Sequence, residues 1–193
     1  MKSLLKQAAN LLFLMLVSPL VILYIVGKMV VDENSLFGSF SQLLSLIPGK
    51  TGAYLRKSFY RFTMSHCDQS CVISFATLFS QPDTEIGNGV YIGPQCNIGK
   101  SKIGDNCLFG SGVHILSGKR QHDFSDIETP IQQQGGSYLC VEIGEDTWIG
   151  NNAVVMANVG KKCVIGAGSV VTNDVADYSV VAGNPAKVVK MRV

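Results

Sequence analysis

The sequence has few charged side chains and few residues of the kinds that bind metals. Only 16% of its 193 residues are Asp, Glu, Lys or Arg, whereas 47% are hydrophobic, which is apolar for a soluble domain. Three histidines and one tryptophan are present. The six cysteines are scattered, and Cys67 and Cys71 have no partners at zinc spacing. We therefore expect no structural zinc and a reducing compartment.

Charge is divided unevenly along the chain. Residues 1–62 carry 7 basic and 2 acidic side chains, whereas residues 63–193 carry 9 basic and 12 acidic ones. The second part is net acidic and has no nucleic-acid-binding motif. We therefore expect no nucleic acid among the partners.

No charge at all occurs in the 21 residues between Lys6 and Lys28. As a helix this segment would be about 31 Å long, close to the roughly 30 Å hydrocarbon core of a bilayer. No small-residue cleavage site follows it, so an anchor fits better than a cleaved signal peptide. Pro19 leaves two forms open, a kinked crossing and a re-entrant hairpin. The hairpin is favoured because it keeps Lys2 on the same side as the later basic residues.

Residues 36–62 mix Leu, Phe and Tyr with four basic residues, Lys50, Arg56, Lys57 and Arg61. Two interpretations remain open. The segment forms amphipathic helices on an anionic membrane face, or it forms a helical subdomain that packs against the folded part. We divide the chain into a membrane-anchoring and amphipathic helical region, residues 1–62, and a folded domain, residues 63–193.

From residue 86 onward the sequence repeats a unit of six residues, such as IGNGVY, IGPQCN and IGDNCL. This period fits neither a helix nor an ordinary strand, and it predicts a chain wound into a triangular prism of short parallel strands. The first residue of each unit should point inward and stack on its copy one coil away. The predicted inward residues are Ile86, Ile92, Ile98, Ile103, Phe109, Ile143, Ile149, Val155, Ile165 and Val171.

The fifth residue of each unit should be small and lie near a corner of the prism. Cys96, Cys107 and Cys163 occupy this position, so packing explains these three cysteines better than metal or redox chemistry. The Gly that follows most inward residues should let the backbone turn where a side chain would obstruct it.

The repeat is interrupted by a polar insertion, residues 117–141, with no six-residue period. Long loops on a rigid scaffold usually serve function. This one contains His122 next to Asp123, and imidazole is suited to general-base chemistry near neutral pH. The residues alone leave two alternatives open, a catalytic base and a solvated loop histidine.

His114 and Trp148 occupy outward sixth positions of their units. His114 borders a groove or faces water, whereas a large exposed ring such as Trp148 usually contacts a ligand or a neighbouring subunit. The chain ends in SVVAGNPAKVVKMRV. Its Lys187, Lys190 and Arg192 either pair with phosphates or form a solvated tail.

Together, the IG units, the loop histidine, TWIG, IGAGSVVTNDV and VVAGNPAKVV resemble the hexapeptide-repeat acyltransferases. The most similar branch is that of the maltose, galactoside and xenobiotic O-acetyltransferases, in particular membrane-anchored enzymes of bacterial exopolysaccharide synthesis. The resemblance covers about residues 84–190. It implies an all-β left-handed parallel β-helix, here preceded by an α-helical membrane-associated segment. It also implies a homotrimer with active sites between adjacent prisms.

The resemblance further implies an acetyl-CoA-dependent O-acetyltransferase that acts on a saccharide hydroxyl without a metal. Its catalytic domain would lie on the cytoplasmic face of a bacterial inner membrane. His122 falls on the base that deprotonates the acceptor, and Gln95 stands where related sugar enzymes often carry Asn. The implied acceptor-binding residues are Gln95, His114, Asp123 and Trp148, and the implied cofactor-binding residues are Trp148, Ala167, Thr172, Lys187 and Lys190.

Three other functions are compatible with the same coil. An N-acyltransferase on an amino sugar has less need of a base, because a neutral amine is already nucleophilic. A non-catalytic trimeric scaffold would have no use for the loop histidine or the basic tail. A γ-type carbonic anhydrase requires three histidine ligands, and the close histidine pair of that enzyme is missing from this sequence.

Overall fold

The computed structural model describes residues 2–192, with side chains from residue 7 onward. Three helices come first: α1 (Lys2–Gly27), α2 (Glu33–Ser45) and α3 (Gly49–Thr63). Short strands follow: β1 His66–Cys67, β2 Val72–Ile73, β3 Leu78–Phe79, β4 Glu85–Ile86, β5 Tyr91–Ile92, β6 Asn97–Ile98, β7 Ser101–Ile103, β8 Leu108–Phe109, β9 His114–Ile115, β10 Val141–Ile143, β11 Trp148–Ile149, β12 Val154–Val155, β13 Val164–Ile165, β14 Val170–Val171, β15 Ser179–Gly183 and β16 Ala186–Met191. A single turn of 3₁₀ helix, Ile131–Gln133, lies in the insertion.

The strands wind into a β-solenoid of about six coils with three faces. Face A holds β1, β4, β7 and β10; face B holds β2, β5, β8, β11, β13, β15 and β16; face C holds β3, β6, β9, β12 and β14. All pairs are parallel except β15 with β16. The predicted parallel β-helix is therefore confirmed.

The inward residues stack as the six-residue period predicts. On face B, Ile92 pairs with Phe109, which pairs with Ile149 and then Ile165. Every predicted inward residue is at most 2% exposed, so the solenoid has one continuous apolar core. Burial also raises the pKa of the Cys107 thiol to about 11, in keeping with a packing role for this cysteine.

The solenoid begins one coil before the readable repeat. Cys67, Ile73 and Phe79 are the inward residues of β1, β2 and β3. Cys71 fills the small corner position of this coil, with its sulfur 3.6 Å from that of Cys67. These two cysteines are therefore core residues as well.

The three corners of the solenoid differ in how much their length in residues varies from coil to coil. The corners from face A to B and from face B to C always separate successive inward residues by six positions, as in Ile86, Ile92 and Ile98. The corner from face C back to face A is variable. It takes five positions between Ile98 and Ile103 and four between Val155 and Val159. The polar insertion occupies this same corner in the third coil.

The glycine that follows most inward residues is required by the next coil rather than by the turn. A Cβ on Gly93 would lie 2.5 Å from the carbonyl oxygen of Gly110 in the adjacent coil. The positive φ angles fall two residues later, at Asn106 (59°) and Asn152 (57°) for example. The expected reason for the glycine was therefore wrong: it permits close approach of coils, and a separate residue makes the corner.

Helices α2 and α3 cover the open end of the first coil. The Arg56 side chain is fully buried, with Nε donating to the carbonyl of Ile73 and Nη1 donating to those of Leu44 and Ile47. The Ser41 hydroxyl lies 2.9 Å from that of Tyr60 and accepts from the backbone N–H of Phe79. Residues 36–62 are thus a helical cap packed on the solenoid. This confirms the interpretation as a helical subdomain packed against the folded part, and contact of the segment with a membrane stays a prediction.

Helix α1 runs without interruption through Pro19, so the predicted hairpin that turns there was wrong. Proline cannot donate to the carbonyl four residues earlier, but the Ser18 hydroxyl donates to that carbonyl of Met15 at 2.8 Å. Within the described residues, Gln7–Gly27 is long and apolar enough to cross a membrane, with a mean hydropathy of 2.4. Buried helices and signal sequences meet the same criterion. The hairpin prediction was based on Lys2 and Lys6, and the structure does not describe the side chains of these two residues.

Candidate functional site

A polar cleft of about 440 Å³ lies at the corner between faces C and A. Its floor is formed by outward residues of β6 and β9, where Asn97 and His114 are paired neighbours. Gln121 and Tyr138 of the insertion form one wall, and Asn34 from the first turn of α2 forms another. The cleft therefore joins the helical cap, the solenoid and the inserted loop.

The insertion is a folded ribbon whose two arms are held together by backbone hydrogen bonds. The N–H of Leu139 donates to the carbonyl of Ser117 at 2.9 Å, and the N–H of Ser137 donates to that of Arg120 at 2.7 Å. At the tip, the Thr129 hydroxyl donates to Asp126 at 2.7 Å. This ribbon holds its side chains in fixed positions relative to the cleft.

His122 lies on the ribbon directly after the cleft residue Gln121, and its side chain is exposed. Asp123 is also exposed, and its backbone N–H donates to the carbonyl of Gly135 at 2.8 Å. Among residues 7–192, the structure gives the His122 imidazole no hydrogen-bond partner. A base in a working site needs a group that orients its ring, and the described part of the chain supplies no such group to His122.

His114 lines the cleft, whereas Gln95 does not. Gln95 occupies the corner between β5 and β6 with a φ of 61°, and its side chain is exposed. The cleft instead contains Asn97, two residues further on, which sequence analysis missed. Asn97 could have been identified from the sequence, because it occupies the same outward sixth position of its unit as His114. Asn34 could not be identified in this way, because it lies in α2, outside the repeat and far from the other cleft residues in the sequence.

Trp148 lies on face B, away from the cleft. Its outward neighbours in register are apolar: Leu108 and Tyr91 on one side and Val164 on the other. Trp148, Leu108, Tyr91 and Val72 form an exposed apolar row, each 40% to 51% exposed. Face A differs, because its outward row contains Glu85, Lys102 and Glu142. A flat apolar row of this kind on a solenoid face needs a partner surface.

The predicted cofactor-binding residues lie in the last three coils. Ala167 is exposed at the corner between β13 and β14, and Thr172 follows β14 at the corner towards face A. Lys187 and Lys190 are exposed on β16, which pairs antiparallel with β15. Within one chain none of these residues lines the cleft. The structure therefore brings His114, Gln121 and Asn97 together, but not the predicted acceptor and cofactor residues as one set.

The solenoid matches a known family model over most of its readable repeat. Residues 83–117 and 140–173 match the Bacterial transferase hexapeptide (six repeats) model. The two matched segments lie on either side of the insertion that carries His122. The match stops short of β16 and does not include the helical cap.

Sequence relatives include several acetyltransferases. A chloramphenicol acetyltransferase of Klebsiella aerogenes is 35% identical over 116 residues, which cover 50% of this chain and 53% of the relative. A galactoside O-acetyltransferase of Lactococcus lactis is 28% identical over 161 residues, covering 79% and 73% of the two chains. The chain spans 26% to 56% of the length of several other acetyltransferases that it matches.

Among solved structures, a galactoside acetyltransferase in complex with coenzyme A has a similar fold. The two superpose with a TM-score of 0.71 at 24% sequence identity, over 83% of this chain and 82% of the other. At this level of identity the similarity concerns the fold.

Proposed function

We propose that the chain belongs to the hexapeptide-repeat acetyltransferases, to which it is similar in sequence, and that it is an acetyl-CoA-dependent O-acetyltransferase. The observation that carries the proposal is the polar cleft beside the histidine-bearing ribbon, with His114 and Asn97 on its floor. Structural relatives that hold coenzyme A and acetyl coenzyme A support acetyl-CoA as donor, and the galactoside O-acetyltransferase supports a hydroxyl group as acceptor.

In the proposed reaction, His122 takes the proton of an acceptor hydroxyl. The oxygen attacks the thioester carbonyl of acetyl-CoA, the C–S bond breaks, and the thiolate of CoA leaves and takes the proton from the imidazolium. A general base of this kind contributes roughly 10² to 10⁴ in rate. Amide and hydroxyl groups of Asn97, Gln121 and Tyr138 suit a saccharide, because they can hydrogen-bond its hydroxyls.

We propose that the working enzyme is a homotrimer with sites between neighbouring chains. Three features support this assembly. His122 has no orienting partner among residues 7–192 of its own chain, Trp148 points out from a different face, and the ribbon exposes apolar side chains at Phe124, Ile127 and Ile131. Contact between the ribbon of one chain and face B of the next would cover these surfaces and bring His122 near Trp148. Ala167, Thr172, Lys187 and Lys190 would then hold acetyl-CoA.

We place the catalytic domain on the cytoplasmic face of a bacterial inner membrane, because acetyl-CoA is a cytoplasmic donor. The apolar helix α1 supports membrane attachment, and a saccharide of surface polysaccharide synthesis is the acceptor that fits this location. An amino-sugar acceptor would give an amide instead of an ester.

The test is transfer of labelled acetyl from acetyl-CoA to saccharide fractions of the cell envelope by the purified chain. Label that hydroxylamine releases marks an ester, whereas resistant label marks an amide and would favour N-transfer. His122→Ala should lower turnover by 10² to 10⁴ while CoA binding is kept. The matched control is His66→Ala on face A, which should retain full turnover.

Two results would contradict parts of this proposal. Full turnover by His122→Ala together with loss of turnover in His114→Ala would move the base to the cleft floor. CoA binding without transfer to any fraction would favour a non-catalytic scaffold.

A further inference from the structure

The outward side of α1 is an apolar surface that none of the residues with described side chains, 7–192, covers. Its exposed residues recur at helical spacing, each about half exposed: Leu11, Leu12, Met15, Ile22, Leu23 and Val26. The same surface continues into the following turn, where Met29 and Val30 are more than 80% exposed. An apolar helix needs an apolar environment on every side.

The opposite side of α1 is fixed to the helical cap. Val17, Val21 and Tyr24 are buried there, and the ring of Phe13 stacks on that of Tyr54 in α3 at 5.1 Å. The Tyr24 hydroxyl donates to Glu33 at 2.9 Å at the start of α2. The packed segment extends from residue 13 to residue 24 and thus includes the middle of the apolar stretch.

A helix held in this way cannot cross a bilayer unless it leaves the cap. At membrane depth, α3 would bring Lys57 and Arg61 with it, although charged groups at the bilayer centre are costly. If α1 detached instead, it would uncover Phe37, Phe40 and Phe59, which now pack around Tyr24. Exposure of these aromatic rings to water opposes detachment of α1.

We propose that α1 lies in the plane of the membrane surface, with its outward side in the acyl chains of one leaflet and its other side on the cap. The exposed cation Lys50, beside the Tyr54 ring of that stack, matches anionic lipid headgroups, whereas Lys28, just after α1, is paired with Glu33 at 3.2 Å. α1 itself has no acidic residue to repel these headgroups. The occupant of the surface is therefore lipid.

This arrangement places the cleft at the membrane surface. Asn34 lines the cleft and lies only a few residues after the exposed Met29 and Val30. If the proposed transferase function holds, the acceptor is a saccharide attached to a membrane lipid. The placement of α1 does not depend on that function, and its test reads no transfer.

Flotation of the purified full chain with vesicles of phosphatidylcholine and phosphatidylglycerol tests the lipid contact. The double variant Leu12→Glu/Ile22→Glu should lower the bound fraction by roughly tenfold or more at both low and high salt. The matched control, Val188→Glu/Val189→Glu, changes exposed valines at the opposite end of the solenoid and should float like the parent. Equal flotation by the Leu12→Glu/Ile22→Glu variant would overturn the proposal.

The depth of α1 distinguishes a helix in the plane from a crossing helix. Spin labels are placed singly at Leu12→Cys, Met15→Cys, Ile22→Cys and Val26→Cys in a Cys140→Ser background, because Cys140 is the exposed natural cysteine and the other five are buried. Accessibility to oxygen and to a polar nickel complex should give one shallow depth, about 5–10 Å, at all four positions. A depth that reaches the bilayer centre midway and falls towards the ends would establish a crossing. Labels that contact no lipid would show that protein covers this surface.

Discussion

Arg56 shows how a single side chain joins the helices to the solenoid. Its guanidinium is buried without an acidic partner, and it satisfies carbonyl oxygens at the end of α2, in the following turn and in β2. Burial lowers the pKa of this group, but an arginine remains charged at neutral pH. A charge is retained in this core because three carbonyl groups there have lost their contact with water.

Arg56→Leu should destabilise the fold by about 3 kcal/mol or more, because it leaves these three carbonyls without a donor, and a hydrogen bond from a charged group contributes about 1.5–3 kcal/mol. The measurement is the free energy of unfolding by urea in detergent. Arg61→Leu is the matched control, because it makes the same change at an exposed position of the same helix. It should shift stability by less than about 0.5 kcal/mol. Equal effects of the two variants would show that the Arg56 contacts contribute little.

At the scale of elements, the sequence predicts the solenoid well and the helices poorly. The inward residues could be identified because their period belongs to the local backbone geometry and is repeated in each coil. The first coil was missed because Asp68, Ser74 and Ser80 stand where later coils have glycine. The sequence leaves the packing of α2 and α3 on the solenoid as one of two interpretations, because this packing depends on contacts such as that of Arg56 with Ile73 across the chain. Asn34 was missed for the same reason, because only long-range packing places it at the cleft. The left-handedness of the solenoid stays a prediction from the family resemblance.

Gly93→Ala should destabilise the solenoid by about 1–3 kcal/mol. A Cβ at this position would lie 2.5 Å from the backbone oxygen of Gly110 and would force two coils apart. Thermal unfolding followed by circular dichroism measures the loss. Gly38→Ala in α2 is the matched control. Its Cβ would meet no atom within 4 Å, and better helix propensity should stabilise it by up to about 1 kcal/mol. A stable Gly93→Ala variant would contradict the close-approach explanation.

The whole molecule has three faces of different character. Face A carries charges, with Lys102 paired to Glu85 at 3.3 Å. Face B exposes the apolar row that includes Trp148. Face C carries the cleft residues at its corner. A prism with one apolar side suits assembly around a threefold axis, because each chain then offers a different face to each neighbour.

The chain in mild detergent should therefore have three times its monomer mass of 20.8 kDa by light scattering combined with size exclusion. Trp148→Glu should shift the protein towards the monomer, because it places a charge in the apolar row of face B. Lys102→Glu, an outward change on face A, should leave the mass unchanged. A parent chain that is monomeric under these conditions would remove both the assembly and the proposed intersubunit site.

The helical cap on the first coil also protects the protein against end-to-end association with other copies. A solenoid of parallel coils has two open ends, and each end presents backbone groups ready to pair with another chain. Here the N–H of Ala76 donates to the carbonyl of Ser45, and that of Phe79 donates to the Ser41 hydroxyl. At the far end, β16 folds back on β15. The helices of the cap and the fold-back of β16 on β15 therefore prevent coils of different molecules from stacking end to end into a fibre.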